Sequence, residues 1–374
     1  MEKSYDLSAS AAEAAESIQS AEAAESIISA DSTGELIPVD TGRETKTVDI
    51  IVPCLNEAQN IDAFYDAVQA TAAAAEGYDF SYIFIDDGST DETLSMIRQI
   101  AEAAVTDVTT VRYISFSRNF GKEAAMYAGL KASAESRGGR GADYAVLIDA
   151  DLQHPPQLIL EMIRTIEETG CDSCAARRVT RKGEPKIRSA FARGFYKIMN
   201  RFSDIEIVDG AVDFRMMNRQ MVRAILQLPE TQRFSKGIFS WVGFDTRWIE
   251  FENVKRLSGE SKWSMWSLTK YAIAGFLDFA EAPLKFTGVL GGIISVGAVV
   301  YLIVELLKTL IVGKDVPGYE SLVCLILFFG GMIIAVLSVI GEYIGRMYLE
   351  TKRRPIYIEK ESNLDDEDSL KGLK

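Results

Sequence analysis

Residues 144–159, YAVLIDADLQHPPQLI, decide how the rest of the chain is read. The apolar run from Tyr144 to Ile148 stops abruptly at Asp149 and Asp151, with one small residue, Ala150, between them. Gln153, His154 and a Pro155-Pro156 pair follow. A short continuous apolar run closed by proline is the pattern of a strand buried on both faces of a parallel sheet. In open α/β sheets the ligand crevice lies just outside the carboxyl ends of such strands. Two carboxylates one residue apart at that edge are costly to hold unless a cation sits between them. Hard divalent ions take oxygen ligands of this type, and one or two carboxylates plus substrate phosphates is their usual arrangement. The pair reads either as a metal site for a diphosphate-bearing substrate or as solvated aspartates capping the helix that begins near Pro155. These residues alone do not separate the two.

Upstream, three further strands end in the same way. VDIIV (48–52) runs into Pro53-Cys54-Leu55-Asn56-Glu57, and a helix is expected over 61–75. YIFI (82–85) ends in Asp86-Asp87-Gly88-Ser89-Thr90-Asp91, with a helix reaching 104. VRYISF (111–116) leads into SRNFGKE (117–123) and a helix reaching 133. Strands alternating with helices predict a mainly parallel, doubly wound α/β sheet. One acidic turn arises easily by chance; polar or acidic residues at four successive strand ends outline a crevice. A nicotinamide-type dinucleotide domain is disfavoured, because no GxGxxG follows the first strand.

The chain of 374 residues has a formal net charge of -14, and that charge is unevenly placed. Residues 1–45 hold ten acids and two bases, and residues 359–374 hold six acids and three bases. The body between them is nearly balanced, and no basic stripe with interleaved aromatics supports a nucleic-acid partner. Residues 1–45 are rich in Ala, Ser and Glu, with AEAAESIQS (12–20) repeated nearly intact as AEAAESIIS (21–29). Such a stretch has too little apolar surface to offset chain entropy and is expected as a disordered acidic tail. It lacks the basic start and apolar core of a secretory signal, so a cytoplasmic amino terminus is expected. Cys171 and Cys174 have CxxC spacing, but zinc needs a second ligand pair, and His154 is the sole histidine. Buried thiols are the better reading of these cysteines, and a structural loop histidine the better reading of His154.

Downstream, residues 171–260 are rich in arginine. Ile187, Phe191, Phe195, Ile198 and Phe202 recur on one helical face, as in a helix at a membrane surface or an ordinary amphipathic helix. Trp263, Trp266, Tyr271 and Phe276 mark a second amphipathic stretch, over 261–285, at the depth where interfacial aromatics belong. Two long apolar segments, 286–312 and 322–348, each exceed the roughly 20 residues needed to cross a bilayer. Arg346, Lys352, Arg353 and Arg354 near or beyond the second segment predict a hairpin with both ends cytoplasmic. The expected organisation is therefore a tail (1–45), a catalytic domain (46–260), an interfacial helix (261–285), two transmembrane helices (286–350) and a cytoplasmic tail (351–374).

The ordered set PCLNE, IDDGSTD, SRNFGKEAA and DADLQHPP at successive strand ends resembles the family 2 nucleotide-sugar glycosyltransferases, of Rossmann-like GT-A fold. DFRMMNR (213–219), FSKGIFSWVG (234–243), GESKW (259–263) and the apolar hairpin narrow this to a resemblance to polyprenyl-phosphate glycosyltransferases. The bactoprenol glucosyltransferase branch is the nearer, dolichyl-phosphate mannose synthases the more distant. The resemblance covers about residues 48–355. It implies that Pro53, Leu55, Glu57, Asp87, Asp149 and Ala150 bind the nucleotide sugar. It implies that Asp149, Asp151 and Gln153 hold Mg2+ or Mn2+, which neutralises the diphosphate leaving group. Arg177, Arg188 and Arg193 match basic positions for donor diphosphate or lipid phosphate, and Lys262 one that guides the lipid phosphate inward. Asp213 matches the aspartate usually proposed as catalytic base. A lipid monophosphate is already ionised near neutral pH, so either a base or an orienting role fits that position.

The activity implied is an inverting transfer of a hexose, foremost glucose from UDP-glucose, to undecaprenyl or another polyprenyl phosphate at the cytoplasmic face of a bacterial plasma membrane. The near alternatives are GDP-mannose or a UDP-amino sugar as donor; a non-catalytic membrane scaffold stands further off. A processive polysaccharide synthase is disfavoured by the lack of QxxRW and by too few spans. The resemblance also implies a homo-oligomer, a tetramer in related enzymes.

Overall fold

The computed structural model describes residues 28–30, 36–38, 45–104, 110–179, 200–201, 205, 207–252, 282–312 and 318–364. The chain divides into two units, residues 1–45 and residues 46–374. In the first, β1 (Ile28–Ala30) pairs antiparallel with β2 (Leu36–Pro38), so at these residues the stretch expected as a tail is paired.

The second unit carries the alternation expected from the sequence. Its elements begin β3 (Lys46–Cys54), α1 (Ile61–Ala73), β4 (Tyr78–Asp86), α2 (Thr93–Ala104), β5 (Thr110–Phe116), α3 (Lys122–Glu135), β6 (Tyr144–Leu147) and α4 (Leu158–Thr169). There follow β7 (Ser173–Arg178), β8 (Ala211–Asn218), α5 (Arg219–Leu226), α6 (Ser235–Trp241) and β9 (Thr246–Phe251). The last elements are α7 (Ala282–Val312), α8 (Tyr319–Thr351) and β10 (Glu359–Ser362). The eight-stranded sheet has the order β10-β5-β4-β3-β6-β8-β7-β9. Strands β5, β4, β3 and β6 run parallel, whereas β8 runs antiparallel to both β6 and β7. Antiparallel β8 brings residues 211–213 back to the carboxyl end of β6.

Side chains alternate along a strand, and β3 shows why a near-continuous apolar run is needed. Val48, Ile50, Val52 and Cys54 lie in a core with Phe64, Val68, Ile97, Ile159 and Met162, from α1, α2 and α4. Ile51 lies in the opposite core with residues of α3, α5 and α6. Helix α3 approaches closely because its inner face is small: a Cβ on Gly129 would stand 2.1 Å from Ile51 Cγ2. Asp49, between these apolar positions, is fully buried and shared by Arg112 Nη2 at 3.1 Å and Arg137 Nη1 at 3.0 Å.

Residues 351–374, expected as a tail, contribute an edge strand instead. β10 pairs antiparallel with β5, and Ser117 N–H donates to Ile358 O at 2.9 Å. Arg98 Nε donates to Glu361 at 2.9 Å, and the Asn363 side chain bridges Tyr113 N–H (2.6 Å) and Val111 O (3.1 Å). Tyr357 stacks on Phe116 with centroids 4.8 Å apart. Local sequence gives no sign of this, because a polar strand at a sheet edge has no apolar alternation to betray it.

Helices α7 and α8 are 31 and 33 residues long, and each is apolar enough to cross a membrane. Phe286, Ile293, Leu310, Ile334 and Met347 are all exposed along them. A soluble protein rarely leaves so much contiguous apolar surface open. The two expected interfacial helices, 187–202 and 261–285, lie outside the described residues, save for residues 200–201 of the first and 282–285 of the second, which form the start of α7.

Candidate active site

The carboxyl ends of β3, β4, β5 and β6 carry one connected set of polar loops. Asn56 sits in the left-handed region (φ 51°), where its short amide side chain is tolerated, and its Oδ1 accepts Thr90 N–H at 2.8 Å. Ser89 Oγ accepts Asn56 N–H at 2.9 Å, and Thr93 Oγ1 accepts Glu57 N–H at 2.8 Å. The loops after β3 and β4 are thus stitched to each other. Asp87 is buried, and its carboxylate accepts N–H bonds from Phe120 at 2.6 Å and Gly121 at 2.9 Å. Burial raises its carboxyl above the ordinary range, against those two bonds. Gly88 is needed beside it: φ is +69°, and a Cβ would stand 2.6 Å from the Arg118 backbone. Asp87 thereby fixes the turn from which α3 starts, and so fixes Lys122.

Lys122 is the centre of the site. Its ammonium lies 2.7 Å from Asp149 and 2.7 Å from Asp213, joining β6 to β8 across the crevice edge. Burial opposes the ammonium charge, but Asp149 and then Asp213 outweigh it and hold Lys122 well above its usual range. For Asp213, burial acts upward, but Lys122, then Lys236, holds the carboxyl well below the usual range. The next residue of α3, Glu123, accepts Ser235 N–H at 3.0 Å and also its hydroxyl, anchoring α6 to the same turn. Lys236 Nζ donates to Ala211 O at 3.0 Å.

Asp151 is buried and its Oδ1 accepts Gln153 N–H at 3.1 Å; Leu152 between them has φ 54°. Among the described residues, no group of three or more His, Cys, Asp or Glu is placed to hold an ion. Asp149, Asp151 and Gln153 offer two carboxylates and an amide, which is the share Mg2+ takes when substrate phosphates complete its shell. His154 is buried with its ring 5.6 Å from Phe214 and 5.6 Å from Phe251. Burial pulls its imidazole below the ordinary value, although Asp149 and Asp151 pull the other way. It packs between these two rings, and its Nδ1 has no hydrogen-bond partner among the described residues.

The structure therefore brings Pro53, Leu55, Glu57, Asp87, Asp149, Ala150, Asp151, Gln153 and Asp213 to one end of the sheet. Arg177 lies on β7, where its Nη1 stands 3.9 Å from Glu250. Arg188, Arg193 and Lys262 fall outside the described residues. Lys122 lies within SRNFGKEAA, and the sequence alone assigns it no role. Its partners stand 27 and 91 positions away, so no local pattern marks it.

The chain as a whole is similar to known proteins. Residues 49–226 match the model of glycosyl transferase family 2. A glycosyltransferase of Bacillus subtilis (strain 168), CsbB, whose name marks its assignment as provisional, is 41% identical, covering 86% of this chain and 93% of its own. The prophage bactoprenol glucosyl transferase homolog of Escherichia coli (strain K12) is 37% identical, covering 84% of this chain and 98% of its own. Among solved structures, the glucosyl-3-phosphoglycerate synthase of M. tuberculosis covers 63% of this chain and 82% of its own, at 19% identity and TM-score 0.42, too low to carry an argument. The relatives of more than a third identity, matched over nearly their whole length, and the acidic strand ends found here lead to one conclusion. The chain belongs to glycosyl transferase family 2 and is a glycosyltransferase with a GT-A-like, mostly parallel sheet.

Proposed function

We propose that the enzyme moves a hexose, foremost glucose from UDP-glucose, onto a polyprenyl phosphate at the cytoplasmic face of a bacterial plasma membrane. The observation that carries this reading is the joining of one sheet edge, with its Lys122-bridged carboxylates, to two membrane-length helices. Relatives named as bactoprenol glucosyl transferases support the acceptor. Pro53, Leu55, Glu57 and Asp87 flank the nucleotide. Asp149, Asp151 and Gln153 would hold Mg2+ or Mn2+, whose charge would offset that developing on the diphosphate leaving group. The attacking atom is a phosphate oxygen, and attack on the face opposite the leaving group inverts the anomeric centre.

Asp213 in this reading orients rather than deprotonates. A carboxylate held so firmly ionised by Lys122 is a weak base, and the phosphate needs none near neutral pH. Holding donor and acceptor in line is the larger contribution. Arg177, with Arg188, Arg193 and Lys262, would meet phosphate groups through charge-assisted hydrogen bonds.

The test is transfer of label from a panel of nucleotide sugars to the lipid phase, in membranes holding the full chain, undecaprenyl phosphate and Mg2+ or Mn2+. Label from UDP-glucose, lost on chelation and lost in Asp151→Asn, is the expected result. Label from GDP-mannose or a UDP-amino sugar instead would change the donor and keep the reaction. No labelled lipid with any donor, from folded protein, would overturn the acceptor.

A further inference from the structure

Two positions beyond Asp213, Arg215 lies on the same face of β8 and is 3% exposed. A guanidinium is always charged, and a buried charge is normally paired. Arg215 is not. Its Nε has no hydrogen-bond partner, and its plane lies over the Phe239 ring at 3.8 Å. The neighbouring carboxylate, Asp213, is already taken by Lys122. Burial without a full partner draws the Arg215 guanidinium down to about 10.

Beside Arg215 is a cavity of about 320 Å³, which Lys236 also lines. Lys236 spends one proton on Ala211 O and has two more to give. The remaining wall is apolar at Val208, Phe239, Phe244 and Trp248 and carries hydroxyls at Ser240 and Thr246. Two cations and an apolar wall around one cavity match an anionic group on an apolar chain. A nucleoside diphosphate would leave that wall against polar ribose and base.

We propose that this cavity binds the phosphate and the first isoprenoid unit of the acceptor lipid, with Arg215 and Lys236 on the phosphate and Val208, Phe244 and Trp248 on the chain. The inference rests on the proposed acceptor and adds where on the protein that acceptor is held. Asp213 feels the charge of Lys236, which lines the cavity, and is bonded to Lys122, so the cavity neighbours the crevice edge.

The test uses the full-length protein in detergent and radiolabelled farnesyl phosphate, with inorganic phosphate and UDP as competing probes. Arg215→Met removes the central charge. Because Arg215 is buried and its loss risks misfolding, Lys236→Met and Ser240→Phe, which narrows the cavity and leaves both charges, carry the test alongside it. Losing one charged hydrogen bond should weaken farnesyl phosphate about tenfold to a hundredfold, raising KM for polyprenyl phosphate and leaving KM for the donor unchanged. Ser240→Phe should weaken farnesyl phosphate while inorganic phosphate still binds. Unaltered farnesyl phosphate binding in folded Lys236→Met and Ser240→Phe would overturn the proposal, even with lipid transfer intact. Weakened UDP binding in its place would reassign the cavity to the donor. Farnesyl phosphate bound by wild type and lost in the variants, with no transfer to any polyprenyl phosphate, would keep the cavity and strike the proposed function instead.

Discussion

Two clusters of charge in this molecule are mirror images in composition and opposites in setting. At Asp49 one carboxylate is shared by two guanidiniums, with the carboxylate fully buried and Arg112 nearly so. At Lys122 one ammonium is shared by two carboxylates, and the side chains of Lys122, Asp149 and Asp213 keep 33%, 27% and 21% exposure. The first is held between β3, β5 and the turn after α3, with Asp49 and Arg112 closed off from solvent and Arg137 alone reaching it at 25% exposure. The second stands at the open edge of the crevice, where a substrate can compete for each partner. A sealed cluster contributes to the fold; an open one can be spent on chemistry.

Breaking the sealed cluster should have the largest effect on stability. Asp49→Ala leaves buried arginine charge uncompensated, and a loss of about 3–5 kcal/mol is expected in denaturant unfolding. A loss under about 1 kcal/mol would mean that water reaches Arg112 and that the cluster is not sealed.

Breaking the open cluster should reverse the pattern. Lys122→Met should lower kcat/KM by about a hundredfold or more, as removal of a preorganised charge does. Unfolding free energy should move by no more than about 1 kcal/mol, since both carboxylates keep access to solvent. Lys122→Arg should recover part of the rate. Unfolding of the Met variant in place of inactivation would make Lys122 a structural residue.

The pH dependence sharpens the same contrast. Asp213 has its folded pKa depressed, so its contribution to stability is present above about 3.9 and is lost as pH falls below that. Lys122 has its folded pKa raised, so its contribution is present below about 10.4 and is lost as pH rises through the folded value. Neither group titrates near neutrality. An acid limb in the rate should therefore follow the second ionisation of the acceptor phosphate, near about 6. Asp213→Asn should lower the rate and leave that limb in place; a limb that vanishes would restore Asp213 as the base.

The smallest effect is expected on the surface. Lys131 and Glu135, exposed one turn apart on α3 at 3.9 Å, should contribute about 0.3–0.5 kcal/mol by double-mutant cycle. A larger value would undercut the claim that setting, not charge count, separates the two clusters.

The chain's own order of residues carried most of the fold. Each parallel strand is a short apolar run that must be buried on both faces, and the polar residues that cannot follow it inside mark the crevice. Asp149 and Asp151 were legible for that reason, together with the two apolar helices, whereas Asp213 was marked only by the family resemblance of DFRMMNR. Lys122, Arg215 with its cavity, and strand β10 were not. Lys122 acquires meaning when α3 starts from the turn that Asp87 holds. Arg215 reads as one more basic residue until β8 runs antiparallel and α6 covers it. β10 is polar and pairs with a strand some 250 residues earlier. Periodicity and spacing report what a residue must do with its near neighbours and with water. Which charge meets which, and which is left unpaired beside a cavity, is decided by contacts between distant segments, and these exist in the tertiary structure alone.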